Sequence, residues 1–204
     1  MTKPTIPADF PKLESPFVRK TINGQYIITP EINPGYEWVF TEPAVKAIEK
    51  LDGTNVSIVI EKGEVTQIYN RTNRIGFWSG SPIMKCLLMS AEKGWLKLKD
   101  GQCFGEAVGS KIQANPLNLK ESMWMPFALA ESKLMYTSFY EHDRTFENWS
   151  GWFKDYLFSL MARKYAVDKE KKVFAEGVVF YHPDGIRMAK LRRDMFDWFT
   201  GDRH

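Results

Sequence analysis

The residues best suited to chemistry lie around one lysine. The run Glu49-Lys50-Leu51-Asp52-Gly53-Thr54-Asn55 passes directly into the apolar stretch Val56-Ser57-Ile58-Val59-Ile60. Asp-Gly is a turn signal, and the apolar run after it reads as a buried strand. A lysine fixed at such a junction can be held still and partly desolvated. Burial and neighbouring cations lower a lysine's pKa, and the neutral amine is a nucleophile. Taken alone, the same residues also fit a solvated lysine before an ordinary turn. Further along, Lys190 and Arg192 alternate in Met188-Ala189-Lys190-Leu191-Arg192. On a strand both point to one face. Such a pair is commonly just solvated, but it can also clamp a phosphate.

Other short strings complete a pattern. Arg71-Thr72 follows the strand-like Val65 to Tyr69. Phe104-Gly105-Glu106, Phe139-Tyr140-Glu141-His142-Asp143, Glu176-Gly177-Val178-Val179-Phe180 and Met188 to Arg193 come after it in turn. In this order they resemble the motifs of the covalent nucleotidyltransferases: the ATP-dependent DNA and RNA ligases and the GTP-dependent mRNA capping enzymes. Lys50 stands where that superfamily has its motif I lysine. The opening Phe10-Pro11-Lys12-Leu13-Glu14-Ser15-Pro16-Phe17 and the stretch Gly105 to Gln113 are similar to the RNA-ligase branch, related to phage RNA-repair ligases.

The resemblance implies an ATP-dependent RNA ligase with the following roles. Lys50 attacks the α-phosphate of ATP and becomes lysyl-AMP. The AMP then passes to a 5′-phosphate end, and a 3′-hydroxyl displaces it. Glu49 contacts the adenine, and Asn55 belongs to the same nucleotide-binding run. Arg71 touches the sugar, a phosphate or the incoming terminus. Arg74 either shares that work or is a solvated loop arginine. Glu106 accepts a bond from a ribose hydroxyl, beside glycines (Gly105, Gly109) that permit close backbone approach or simply turn. Phe139 stacks on the base, although His142 stands where the family has an aromatic residue. Glu176 holds Mg2+ or Mn2+. Lys190 and Arg192 clamp the α-phosphate, with Arg192 replacing the family's usual lysine. The implied partner is nucleic acid with 5′-phosphate and 3′-hydroxyl ends, RNA or a nicked duplex, with a partner protein or dimer adding contacts. Three rivals stand beside it: a minimal DNA-nick ligase, a GTP-dependent capping-type guanylyltransferase, and a non-catalytic nucleotide- or RNA-binding module.

Composition bounds the class. A chain of 204 residues that is 44% hydrophobic and 14% aromatic can bury a core, which argues against wholesale disorder. A net charge of +3 does not by itself point to nucleic acid. Cys86 and Cys103 lack metal-ligand spacing and read as reduced thiols of a cytoplasmic protein. No signal-like or membrane-spanning run stands out, and His142, His182 and His204 do not form a zinc set.

Periodicity predicts an α+β, antiparallel-rich fold. The resemblance refines this to the nucleotidyltransferase (ATP-grasp-like ligase adenylation) fold, with two sheets flanking an ATP cleft. One adenylyltransferase domain is expected over 1–204. Residues 1–43, rich in proline, read as an extended lead-in with at most short strands such as Tyr26-Ile27-Ile28. Residues 194–204 read as a short tail with no room for an OB domain, so weak strand joining is expected. Asn55–Ile60 and Val65–Tyr69 predict a hairpin. Ser81-Pro82 predicts a helix stopping at Gly94, with Ile83, Leu87 and Leu88 on its apolar face. Residues 147–165 predict one long helix with an aromatic face. Residues 102–104, 136–140, 173–181 and 188–191 read as further strands.

Overall fold

The computed structural model describes residues 8–78, 80–141 and 143–201. In chain order its elements are β1 (Phe17–Ile22), β2 (Gln25–Ile32), α1 (Trp38–Thr41), β3 (Lys46–Lys50), β4 (Thr54–Glu61), β5 (Glu64–Asn70), β6 (Asn73–Ile75), α2 (Pro82–Glu92), β7 (Gly101–Val108), β8 (Met123–Pro126), α3 (Phe127–Lys133), α4 (Phe146–Asp155), α5 (Leu160–Tyr165), β9 (Gly177–Tyr181) and β10 (Met188–Arg192). Short 3-10 turns occupy Thr137–Tyr140 and Arg193–Met195. Every strand pair is antiparallel. No helix among the described residues is long and apolar enough to cross a membrane. The chain divides into two compact units, one of residues 8–12 and 52–129, the other of 13–51 and 130–201.

The first unit is built on a five-stranded sheet in the order β6-β5-β4-β7-β8. Period-2 alternation turns Val56, Ile58 and Ile60 to one face, where they meet Cys86 and Leu87 of α2 and Trp124 of β8. The β4–β5 hairpin closes through Lys62 and Gly63, both with φ in the left-handed region. That suits a two-residue turn whose twist matches its strands. Pro82 opens α2, and Gly94 ends it. The amide of Trp95 bonds Ser90 O and that of Gly94 bonds Ala91 O, which satisfies two of the helix's orphan carbonyls. Leu88 is exposed, contrary to expectation. The core takes Cys86, Leu87 and Ser90 instead, so the buried stripe lies to one side of it.

The second unit carries the three-stranded sheet β10-β9-β3 and the β1–β2 hairpin. The proline-rich lead-in is thus more regular than expected, holding a hairpin and one helical turn. The aromatic stretch 147–165 is two helices rather than one. It breaks at Tyr156, and Ser159 restarts it by accepting a hydrogen bond from the Ala162 amide. Trp149, Trp152 and Phe153 of α4, with Leu157, pack on Ala47, Val178, Phe180, Ala189 and Leu191 of the sheet. Residues 137–140, expected as strand, form a 3-10 turn. Only Met135 bridges to the sheet, opposite Ile48.

Candidate active site

Strand register in the second unit gathers four of the expected residues. Lys50 lies opposite Gly177, and Gly177 opposite Arg192; Ile48 lies opposite Val179, and Val179 opposite Lys190. Alternation therefore sets Lys50, Lys190 and Arg192 on one face and Ala47, Val178, Phe180 and Leu191 on the core face. Gly177 makes this row possible. A Cβ there would stand 2.1 Å from Leu191 O.

Glu176, just before β9, supplies the carboxylate. Lys50 Nζ donates to Glu176 Oε2 at 2.6 Å. The side chains are 25% and 9% exposed, so the pair is largely shielded from water. Arg192 approaches the other oxygen, Oε1, at 3.5 Å and pairs with Asp194 at 3.0 Å. The Arg193 amide bonds Glu176 O, which ties the residue after β10 to the start of β9. Burial first, then the charges of Arg192 and Lys50, push the Lys190 ammonium below its ordinary value. Three cations thus lie near Glu176, with Asp194 beside Arg192 and Glu14 acting on Lys190 as further carboxylates.

Two expected nucleotide contacts lie elsewhere. Glu49 alternates with Lys50 and faces the core. Its carboxylate accepts from Ser159 Oγ and from the Met161 amide at the start of α5. Burial pushes its pKa up to about 7 against the pull of these hydrogen bonds and of Lys164. The adenine contact implied for this side chain is not available from that position. Phe139 is likewise a core residue, 2% exposed. Trp149, Trp152 and Phe180 surround its ring, and the Arg144 guanidinium lies 4.6 Å from its centroid. No face of the ring is left for a base. His142 of the same stretch lies outside the described residues.

The first unit holds a second group. Asn55 on β4 lies opposite Glu106 on β7. Asn55 Oδ1 is buried with no hydrogen-bond partner among the described residues. Arg71 occupies the β5–β6 turn with φ of 54°, and its amide approaches Asn55 O at 3.4 Å. Its side chain is exposed, 3.6 Å from Asp9. Gly105 does permit a close approach, but to β8, since a Cβ there would lie 2.4 Å from Met125 O. Residues 8–10 lie against this sheet. Gln102 exchanges hydrogen bonds with the Ala8 backbone, and Phe10 packs on Phe104 and Phe127.

Asp194 is the site's unforeseen member, and Ser159 the unforeseen partner of the buried Glu49. Closeness in sequence carries a signal for the first, since Asp194 lies in the 3-10 turn directly after β10, two residues from Arg192. Ser159 has no such signal, being far from Glu49 in sequence.

Antiparallel sheets with helices on their faces define a mixed α/β fold, and that fold is similar to solved structures of an RNA ligase. Naegleria gruberi RNA ligase with PPi superposes with a TM-score of 0.52 at 13% identity, covering 94% of this chain and 60% of that one. Two variants of that ligase, each with ATP and Mn, give TM-scores of 0.51 and 0.52 at 13% and 14% identity. They cover 88% and 93% of this chain and 59% and 57% of theirs. The chain thus spans about three fifths of those proteins, and the likeness is one of fold. No family model and no curated protein sequence matches.

Proposed function

We propose that this chain is the nucleotidyl-transfer part of an ATP-dependent RNA ligase, with Lys50 as the residue that takes the AMP. The observation that carries this reading is the Lys50–Glu176 pair, flanked by Lys190 and Arg192 on one sheet face. The fold shared with a ligase bound to ATP and Mn supports it.

The chemistry follows from the residues. The Lys50 ammonium gives up one proton, to Glu176 or to water, and parts from Glu176. Nζ then attacks the α-phosphorus. A P–N bond forms with loss of a second nitrogen proton to water, the P–O bond to the β-phosphate breaks, and pyrophosphate leaves with the electron pair. Lys190 and Arg192 hold the phosphate oxygens, and Arg192 does so in a direction fixed by Asp194. Most of the rate comes from positioning and charge neutralisation.

A divalent cation fits the largely shielded Glu176 carboxylate, since Mg2+ is commonly held by one or two carboxylates with substrate phosphates and water. Glu176 would hold it, and the metal would neutralise charge on the departing pyrophosphate. Among the described residues no cluster of three or more His, Cys, Asp or Glu competes for it. In the first unit, the unpartnered Asn55 Oδ1 and the neighbouring Glu106 are assigned to the nucleoside, and Arg71 to a phosphate or an incoming strand end.

Incubation with labelled ATP or GTP, followed by a denaturing gel, tests the reading. Label retained from ATP and not from GTP is expected. Preferential retention from GTP would make this a capping-type enzyme. No retained label from either would leave a non-catalytic binding module.

A further inference from the structure

The chain has 25 acidic residues, yet none falls between Glu64 and Glu92. That stretch holds Arg71, Arg74 and Lys85, all exposed. It also carries two of the most exposed large apolar side chains, Phe77 at 56% and Trp78 at 69%. Single exposed aromatics are ordinary, but two adjacent ones within an acid-free cationic stretch are not. The Trp78 ring is also held in place. A Cβ on Gly80 would fall 2.5 Å from its six-membered ring, so the indole rests on the glycine backbone. Its amide bonds Gly76 O, and its carbonyl accepts from Ser81. The Trp78 ring is therefore placed before anything binds. From Arg74 to Trp78 is four residues, at most about 14 Å of chain. Arg74 and the rings thus lie within reach of one short run of nucleotides, and Lys85, seven residues past Trp78, is at most about 25 Å further along the chain.

We propose that Phe77 and Trp78, with Arg74 and Lys85, form a platform for a single-stranded nucleic acid. The rings stack on bases and the cations take phosphates. Stacking tolerates any base, and phosphate contact makes the binding depend on salt. That this strand is one to be joined rests on the ligase reading; the platform itself does not.

The test is anisotropy of a fluorescein-labelled 12-nucleotide RNA with the whole chain, beside intact-mass measurement of AMP uptake. The double variant F77A/W78A is expected to weaken strand binding at least about tenfold while AMP uptake stays within about twofold of the parent. The conservative variant F77Y/W78F should restore most of the binding, which a collapsed loop would not allow. R74A/K85A should lower the slope of log affinity against log salt by about one to two. Binding by F77A/W78A equal to the parent's would overturn the platform. A changed oligomeric state in sedimentation with unchanged RNA binding would overturn it too, assigning the rings to self-association. Weakened RNA binding in a chain that takes up no AMP would uphold the platform and sink the ligase reading. AMP uptake with unaltered strand binding would do the reverse.

Discussion

On the proposed reading, Lys50 cannot attack while its ammonium is shared with Glu176, so these two residues would set the chemistry's timing. Removing the carboxylate frees the lysine but takes away the oxygen donor for a divalent cation. The second loss is the larger, because charge on the leaving group must be neutralised as it develops. Glu176→Ala should therefore lower the initial rate of AMP uptake on the order of a hundredfold, with far-ultraviolet dichroism unchanged. Normal uptake across a magnesium titration would make Glu176 structural. Asp194 acts through Arg192, which it holds at 3.0 Å. A hydrogen bond between charged groups contributes roughly 1.5–3 kcal/mol. Asp194→Ala should cost about tenfold or more in uptake, the range that energy spans, and Asp194→Glu should recover part of it. Equal rates for the parent and both variants would show that Arg192 needs no such support. The shared face of Lys190 and Arg192 is legible in the sequence, because a strand alternation encodes it, and Lys50 joins them through the register of β3 on β9. The places of Phe139 and Glu49 are not legible. Their apparent roles rest on position in a motif, whereas burial and side-chain direction depend on partners far away in the chain.

At the scale of elements, β3 is the strand that sequence patterning hides. Its residues Lys46-Ala47-Ile48-Glu49-Lys50 show no apolar alternation, because a carboxylate sits in a core position and is satisfied by α5. The β4–β5 hairpin is legible by contrast, since both strands are rich in β-branched residues and Gly63 stands in the turn. The buried carboxyl makes stability depend on pH. Glu49 titrates near 7 when folded, against an ordinary value of 4.5. The folded chain therefore keeps a proton that the unfolded chain releases between those values. The stability this brings is full below about 4.5 and is lost as pH rises through about 7. Tyr136, whose pKa burial and then Glu49 raise, and Lys164 are the titratable neighbours. The thermal midpoint should fall as pH rises from 5 to 8, and Glu49→Gln should flatten that slope. A slope unchanged by Glu49→Gln would assign it to other groups. Gly177 is the other element-scale constraint. Gly177→Ala forces a Cβ against Leu191 O and should cost about 1–3 kcal/mol. That corresponds to a midpoint lowered by about 5 °C in a chain of this size, and a midpoint within one degree of the parent's would contradict the crowding.

For the molecule as a whole, both compact units follow from one pattern: an antiparallel sheet with one face buried under helices. In the first unit the opposite face carries Asn55 and Glu106; in the second it carries Lys50, Lys190 and Arg192. Periodicity makes the α+β class legible, since strand-like runs outnumber helical ones and turn residues separate them. The division into units is not legible, because each unit is assembled from two separate stretches of chain. The fold is similar to that of an RNA ligase, and the central claim reduces to one covalent bond. Peptide mapping by tandem mass spectrometry, after incubation with ATP and magnesium and without strand, tests it most directly. The account predicts one AMP per chain, on the peptide containing Lys50 and at that residue, and none on Lys50→Ala. AMP on another residue, or uptake that survives Lys50→Ala, would contradict it.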